Sequence, residues 1–101
     1  MFKDAQKEVD VWIKKYTMDY WSPLEQFTRL TEEIGELARE LNHRFGPKKK
    51  KNDEVQKEMS EEIGDVLFTL ICLANSLDID MDESFKQAMD KCYGRDKDRY
   101  K

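Results

Sequence analysis

Glu61-Glu62-Ile63-Gly64-Asp65-Val66-Leu67-Phe68-Thr69-Leu70-Ile71-Cys72-Leu73-Ala74-Asn75-Ser76-Leu77 opens on acidic residues and then runs almost wholly apolar. At about 100° per residue, Met59, Ile63, Leu67, Leu70, Ala74 and Leu77 fall on one side of a helix, and Glu62, Asp65, Thr69 and Ser76 on another. Phe68 and Cys72 lie opposite the main stripe, so beyond Val66 little of this helix is left for water. A helix apolar nearly all round is buried on more than one side. A bilayer span needs ~20 apolar residues, more than this run supplies. The stretch therefore reads as the central helix of a bundle, with carboxylates carried in at its N-terminal half.

Its opening has a near copy upstream. Glu32-Glu33-Ile34-Gly35-Glu36-Leu37 matches Glu61-Glu62-Ile63-Gly64-Asp65-Val66 position by position, with conservative changes at the last two. Each copy sets two carboxylates three residues apart, about 60° around a helix and one turn along it, so both can reach one point. A glycine inside a helix costs ~1 kcal/mol against alanine. Two such glycines, each just before an acid, are expected to mark close helix-to-helix approach.

The remaining elements follow from local signals. Phe2, Ala5, Val9, Trp12, Ile13 and Tyr16 have helical spacing and predict a first helix. Asp19-Tyr20-Trp21 breaks it, and Ser22-Pro23-Leu24-Glu25 is a capping box with proline at the first helical position. The second helix is expected over 22–44, burying Phe27, Leu30, Ile34, Leu37, Leu41 and Phe45 and ending at Gly46-Pro47. Along one edge of its stripe lie Gln26, Arg29, Glu33, Glu36 and Glu40. Lys48 to Lys51 begin a hydrophilic loop, the third helix is expected over 53–77, and Asp80 with Glu83 caps a fourth that ends at Gly94. Four helices in one domain, 1–101, give an all-α, four-helix bundle-like architecture.

Composition narrows the class. Charged residues are 40% of 101, yet the apolar residues are periodic, which fits a charged-surface helical domain and not a disordered one. A net charge of −4 gives no basic balance for nucleic acid. No signal peptide, membrane span or lipid-attachment motif reads in the chain, and Cys72 and Cys92 have no disulfide spacing, so a cytoplasmic protein with reduced thiols is expected.

Acid pairs at this spacing also occur at Glu58/Glu61 and Asp80/Glu83. The first reads as a solvated face and the second as helix capping. Glu33/Glu36 and Glu62/Asp65 differ because they share one sequence context and flank apolar stripes. On antiparallel helices they converge. Four inward carboxylates without cations would repel and be desolvated, and Arg29 alone cannot neutralise them. All-oxygen ligation selects hard cations, and Mg²⁺ favours a few carboxylates completed by water and phosphates.

Glu33-x-x-Glu36 followed by Glu62-x-x-Asp65, within the fuller strings above and with Leu73-Ala74-Asn75, resembles the MazG-like nucleotide pyrophosphohydrolases of the all-α NTP pyrophosphatase superfamily. The likeness runs from Ser22-Pro23 to Lys91 and Arg95, and is nearest to the small single-domain bacterial members, including the YpjD-type proteins. It implies cleavage of a (d)NTP between the α- and β-phosphates to the monophosphate and pyrophosphate, in nucleotide-pool housecleaning. It also implies Mg²⁺ (or Mn²⁺) held by Glu33, Glu36, Glu62 and Asp65, with Glu36 orienting the attacking water. Asn75, Lys91 and Arg95 become phosphate contacts by the same resemblance.

Trp12, Tyr16 and Trp21 have the chemistry to stack on a base. Core is the better reading for Trp12, while Trp21 stands open between core and substrate contact. Glu40-x-x-His43 is half of a di-iron motif, but His43 is the one histidine of the chain and a second is needed. A non-catalytic oligomerisation or regulatory module is the alternative from another class. Helix three is apolar on more faces than one small domain covers, which leaves Leu73, Phe68 or Cys72 outside. With the resemblance, this points to a homo-oligomer, a tetramer before a dimer.

Overall fold

The computed structural model describes residues 1–47 and 59–100. Four helices follow in order: α1 (Phe2–Tyr16), α2 (Pro23–Phe45), α3 (Met59–Ser76) and α4 (Met81–Tyr93). No strand occurs among the described residues, and no helix is long and apolar enough to cross a membrane. The lysine run and the expected start of the third helix near Asp53 lie outside the described residues, as does Glu58.

Local chemistry sets the helix ends. Ser22 Oγ accepts the Glu25 N–H at 3.3 Å while Glu25 Oε1 accepts the Ser22 N–H at 3.3 Å, so the capping box is formed. Asp80 accepts the N–H groups of Asp82 and Glu83 at the start of α4. After α3, Asp78 takes φ 54°, the left-handed region. There the Ile79 N–H reaches the Ala74 carbonyl at 2.9 Å and the Asp78 N–H reaches Asn75 at 3.2 Å, which closes the helix as a Schellman motif.

α1 has no side-chain cap of its own. Asp82, in the first turn of α4, serves instead, accepting the N–H groups of Phe2 at 2.7 Å and Lys3 at 3.1 Å. This ties the two helix beginnings together, and the Phe2 hydrogen bond is the main cause holding the Asp82 carboxyl below its ordinary range. A depressed native pKa contributes stability above the unfolded value that is lost as pH falls through the native one. In thermal melts Asp82→Asn is therefore expected to lie below wild type by a steady margin from neutral pH downward. The margin should close below about pH 4. A margin that persisted into acid would contradict the charged cap.

Val9 and Ile13 of α1 pack with Ile71 and Cys72 of α3, with Ala5, Tyr20 and Met81 around them. α2 lies along α3, and α4 packs mainly on α1. The expected stripe of α2 is only in part its buried face. Phe27, Ile34, Leu41 and Phe45 are exposed, Leu30 is buried and Leu37 half-buried as expected, and the helix further buries Gln26, Glu33 and Glu40. On α3, likewise, Ile63, Leu67, Leu70 and Leu77 are exposed while Glu62, Thr69, Ile71, Cys72 and Ala74 are buried. Of the residues expected outside, Cys72 is core, Leu73 is half-buried and Phe68 is exposed. Each helix has more apolar surface than one chain covers, and the α2–α3 contact uses the edge that carries the acids. The Cα radius of gyration, 16.7 Å, exceeds the about 13 Å of a compact chain this long. The four helices form the expected all-α, bundle-like array, with apolar faces of α2 and α3 left uncovered.

Candidate active site

The α2–α3 contact brings together one carboxylate from the first acidic string and two from the second. Glu33, Glu62 and Asp65 each offer an oxygen within 4.8 Å of the others. Glu62 is 1% exposed and Glu33 8%, whereas Asp65 faces solvent. The cluster thus has a closed floor and an open side. Glu36, one turn beyond Glu33, is exposed and stands outside this group of three.

Glu33 shows what the cluster needs. Its Oε1 accepts the Arg29 Nε–H at 3.0 Å, and its Oε2 is buried without a hydrogen-bond partner among the described residues. A buried polar atom left so costs about 1–3 kcal/mol, and more in a charged group. A hard divalent cation fits this all-oxygen set. Gly35 and Gly64, expected at a close helix approach, have nothing within 4 Å of an added Cβ. They lie beside exposed Ile34 and Ile63.

Next to the acids is an open cleft of about 230 Å³ between α1, α2 and α3. Trp12, Trp21, Phe68, Arg29, Thr69 and Cys72 are among its lining residues. The cleft meets the cluster at two points. Arg29 is one turn before Glu33 and bonded to it, with its guanidinium carbon 5.9 Å from the Trp21 ring centroid. Thr69 is one turn after Asp65 and donates to its carbonyl at 2.8 Å. Trp12, expected in the core, is instead half-exposed, edge-on to Phe68 at 6.0 Å, because Val9 and Ile13 fill the core from α1. Burial pushes the Cys72 thiol up, which leaves it a neutral wall and not a nucleophile.

The other expected contacts lie elsewhere. Asn75 hydrogen-bonds to Gln6 and Tyr20. Lys91 is in the last turn of α4, and Arg95 beyond it holds Asp96 at 3.1 and 3.2 Å. Phe68, Thr69 and Arg29 gave a readable signal as cleft residues, since each is three or four positions from a motif acid. Trp21, left open between core and substrate contact, lines the cleft, whereas the role of Tyr20 depends on long-range contacts and gave no signal.

Comparison with known proteins matches the MazG nucleotide pyrophosphohydrolase domain to residues 22–100. The uncharacterized protein YpjD of Bacillus subtilis (strain 168) is 58% identical over 98 residues, covering 97% of this chain and 88% of that protein. The crystal structure of YPJD from Bacillus subtilis superposes with a TM-score of 0.80 at 57% identity, over 90% of this chain and 93% of that one. The crystal structure of the Bacillus-conserved MazG protein, a nucleotide pyrophosphohydrolase, gives a TM-score of 0.80 at 48% identity, over 97% and 95%.

Proposed function

Since this chain belongs to the MazG nucleotide pyrophosphohydrolase family, we propose that it hydrolyses a (d)NTP between the α- and β-phosphates, as a housecleaning enzyme of the nucleotide pool. The observation that carries this reading is the convergence of Glu33, Glu62 and Asp65 beside an aromatic cleft, with a buried Glu33 oxygen that has no hydrogen-bond partner among the described residues. Glu33, Glu36, Glu62 and Asp65 would hold Mg²⁺, with Mn²⁺ as a substitute. Such an ion acidifies a bound water and polarises phosphate oxygens.

The side chains divide the remaining work. Glu36 orients the attacking water and draws its proton. The water oxygen bonds to the α-phosphorus as the bridging oxygen leaves with pyrophosphate, which yields the nucleoside monophosphate. Trp21 stacks on the base, with Trp12 and Phe68 as apolar walls and Arg29 against the ring. Lys91 and Arg95 supply positive charge to the phosphates.

The uncovered stripes of α2 and α3 support a homo-oligomer, a dimer of dimers before a simple dimer. Between α3 and α4, Leu67, Leu70, Leu73, Leu77 and Phe85 line an apolar groove of about 420 Å³. A neighbouring copy covers such surface and brings its charged C-terminal tail, with Arg95, to the site.

Thermal melts test the metal reading. Mg²⁺ is expected to raise the midpoint, and a non-hydrolysable triphosphate to raise it further, since a ligand at 100 times its Kd adds about 2.7 kcal/mol to native stability. A midpoint indifferent to millimolar Mg²⁺, with and without nucleotide, would contradict it.

A further inference from the structure

We infer that Asn75 is a positioning residue and not a phosphate contact: through the Tyr20 hydroxyl it fixes the segment 17–21 that walls the aromatic cleft. A carboxamide can offer a phosphate only its N–H groups, because its oxygen would face another acceptor. Both kinds of contact at Asn75 are already made within the chain. Its Nδ2 donates to the Gln6 carbonyl at 3.0 Å and to the Tyr20 hydroxyl at 2.9 Å, and its Oδ1 accepts from Gln6 Nε2 at 2.8 Å.

The Gln6 side chain also donates to the Ile79 carbonyl at 2.8 Å and accepts the Met81 N–H at 3.0 Å. One knot therefore joins α1, the end of α3 and the start of α4. Tyr20 is its outlet toward the cleft. The Tyr20 hydroxyl donates to Asp10 Oδ1 at 2.9 Å, and its ring packs on the core of Val9, Ile13, Ile71 and Cys72. Its two chain neighbours, Asp19 and Trp21, both line the cleft, as does Thr17. With the half-buried Tyr20 ring packed against the core and its oxygen held at two points, the backbone that presents Trp21 has little freedom. Burial raises the Tyr20 pKa to about 12, so the hydroxyl keeps the proton it gives Asp10 across the physiological range.

This inference rests on the nucleotide reading of the cleft, and its test separates the two. Wild type, Tyr20→Phe, Asn75→Ala and the double variant are compared on the natural (d)NTP that wild type turns over fastest. If the binding-competent segment falls to about a tenth of the population, apparent affinity falls tenfold. KM is thus expected to rise about tenfold in each single variant with kcat nearly unchanged, and the double variant to be no worse, as for residues acting as one unit. Loss of kcat in Asn75→Ala with Tyr20→Phe like wild type would make Asn75 a direct substrate contact and overturn the inference. So would two variants both matching wild type. If Asn75→Ala shows no cooperative melt, Tyr20→Phe decides alone.

Acrylamide quenching reads the same segment without turnover. In a Trp12→Phe background Trp21 is the one tryptophan. Its quenching is expected to increase on adding Tyr20→Phe or Asn75→Ala, and unchanged quenching would also overturn the inference. A wild type inactive on every triphosphate would count against the nucleotide reading instead.

Discussion

Asp65→Asn is expected to lower turnover by about a thousandfold or more, about 4 kcal/mol of transition-state stabilisation, with the helical circular dichroism unchanged. Asp65 is exposed and contributes only its carboxylate to the cluster with Glu33 and Glu62, so the variant removes the proposed ligand and leaves the core intact. Glu36→Gln, outside the cluster and one turn beyond Glu33, should also lose turnover, through its proposed role toward the attacking water. Without metal, the Asp65→Asn midpoint should rise, since one of three clustered negative charges is gone. Glu32→Gln is the control. Like Glu36, Glu32 is an exposed acid in the same string and outside the cluster, but it has no part in the proposed reaction, and its variant should keep wild-type activity. Equal loss in Glu32→Gln and Asp65→Asn would mean that general negative charge, and not the cluster, matters.

The second large effect concerns assembly. Light scattering at micromolar concentration is expected to give four times, or at least twice, the 12.1 kDa mass of one chain. The reason is the stripe of Ile63, Leu67, Leu70 and Leu77, each 39% or more exposed, which a solvated monomer would leave against water. Leu70→Asp should give the monomer mass and a markedly lower midpoint, because a carboxylate in a covered apolar face is not tolerated. A wild-type monomer would refute the assembly. Mixing Glu36→Gln subunits with Arg95→Ala subunits tests whether one site draws on two chains, since partial rescue requires it.

What was legible in the sequence had a local cause. Ser22-Pro23-Leu24-Glu25 fixes the start of α2 and Asp80 that of α4, because caps are made by residues within one turn. The meeting of the two acidic strings was legible in part: Glu33 gathers with Glu62 and Asp65, while Glu36, one turn on, stays exposed outside that group. Which face packs inward was not. The stripe Phe27, Ile34, Leu41 on α2 has the pattern of a core, and the pattern is the same whether the covering surface belongs to this chain or to another copy. That ambiguity placed the stripe inside, and it also assigned Gly35 and Gly64 to a helix contact that one chain does not make. Trp12 was misplaced for a related reason, as Val9 and Ile13 suffice to fill the α1–α3 core. The Tyr20–Asn75 bond joins residues 55 apart in sequence, beyond the reach of any periodicity.

The most direct test of the account is the product pair formed from a triphosphate. The natural (d)NTPs are incubated with the wild-type protein in Mg²⁺ or in chelator, and the products are resolved by phosphorus NMR. The expected result is nucleoside monophosphate and pyrophosphate in equal amounts from at least one substrate, formed with Mg²⁺ and absent in chelator. Diphosphate with orthophosphate, or no product from any of them in Mg²⁺, would contradict it.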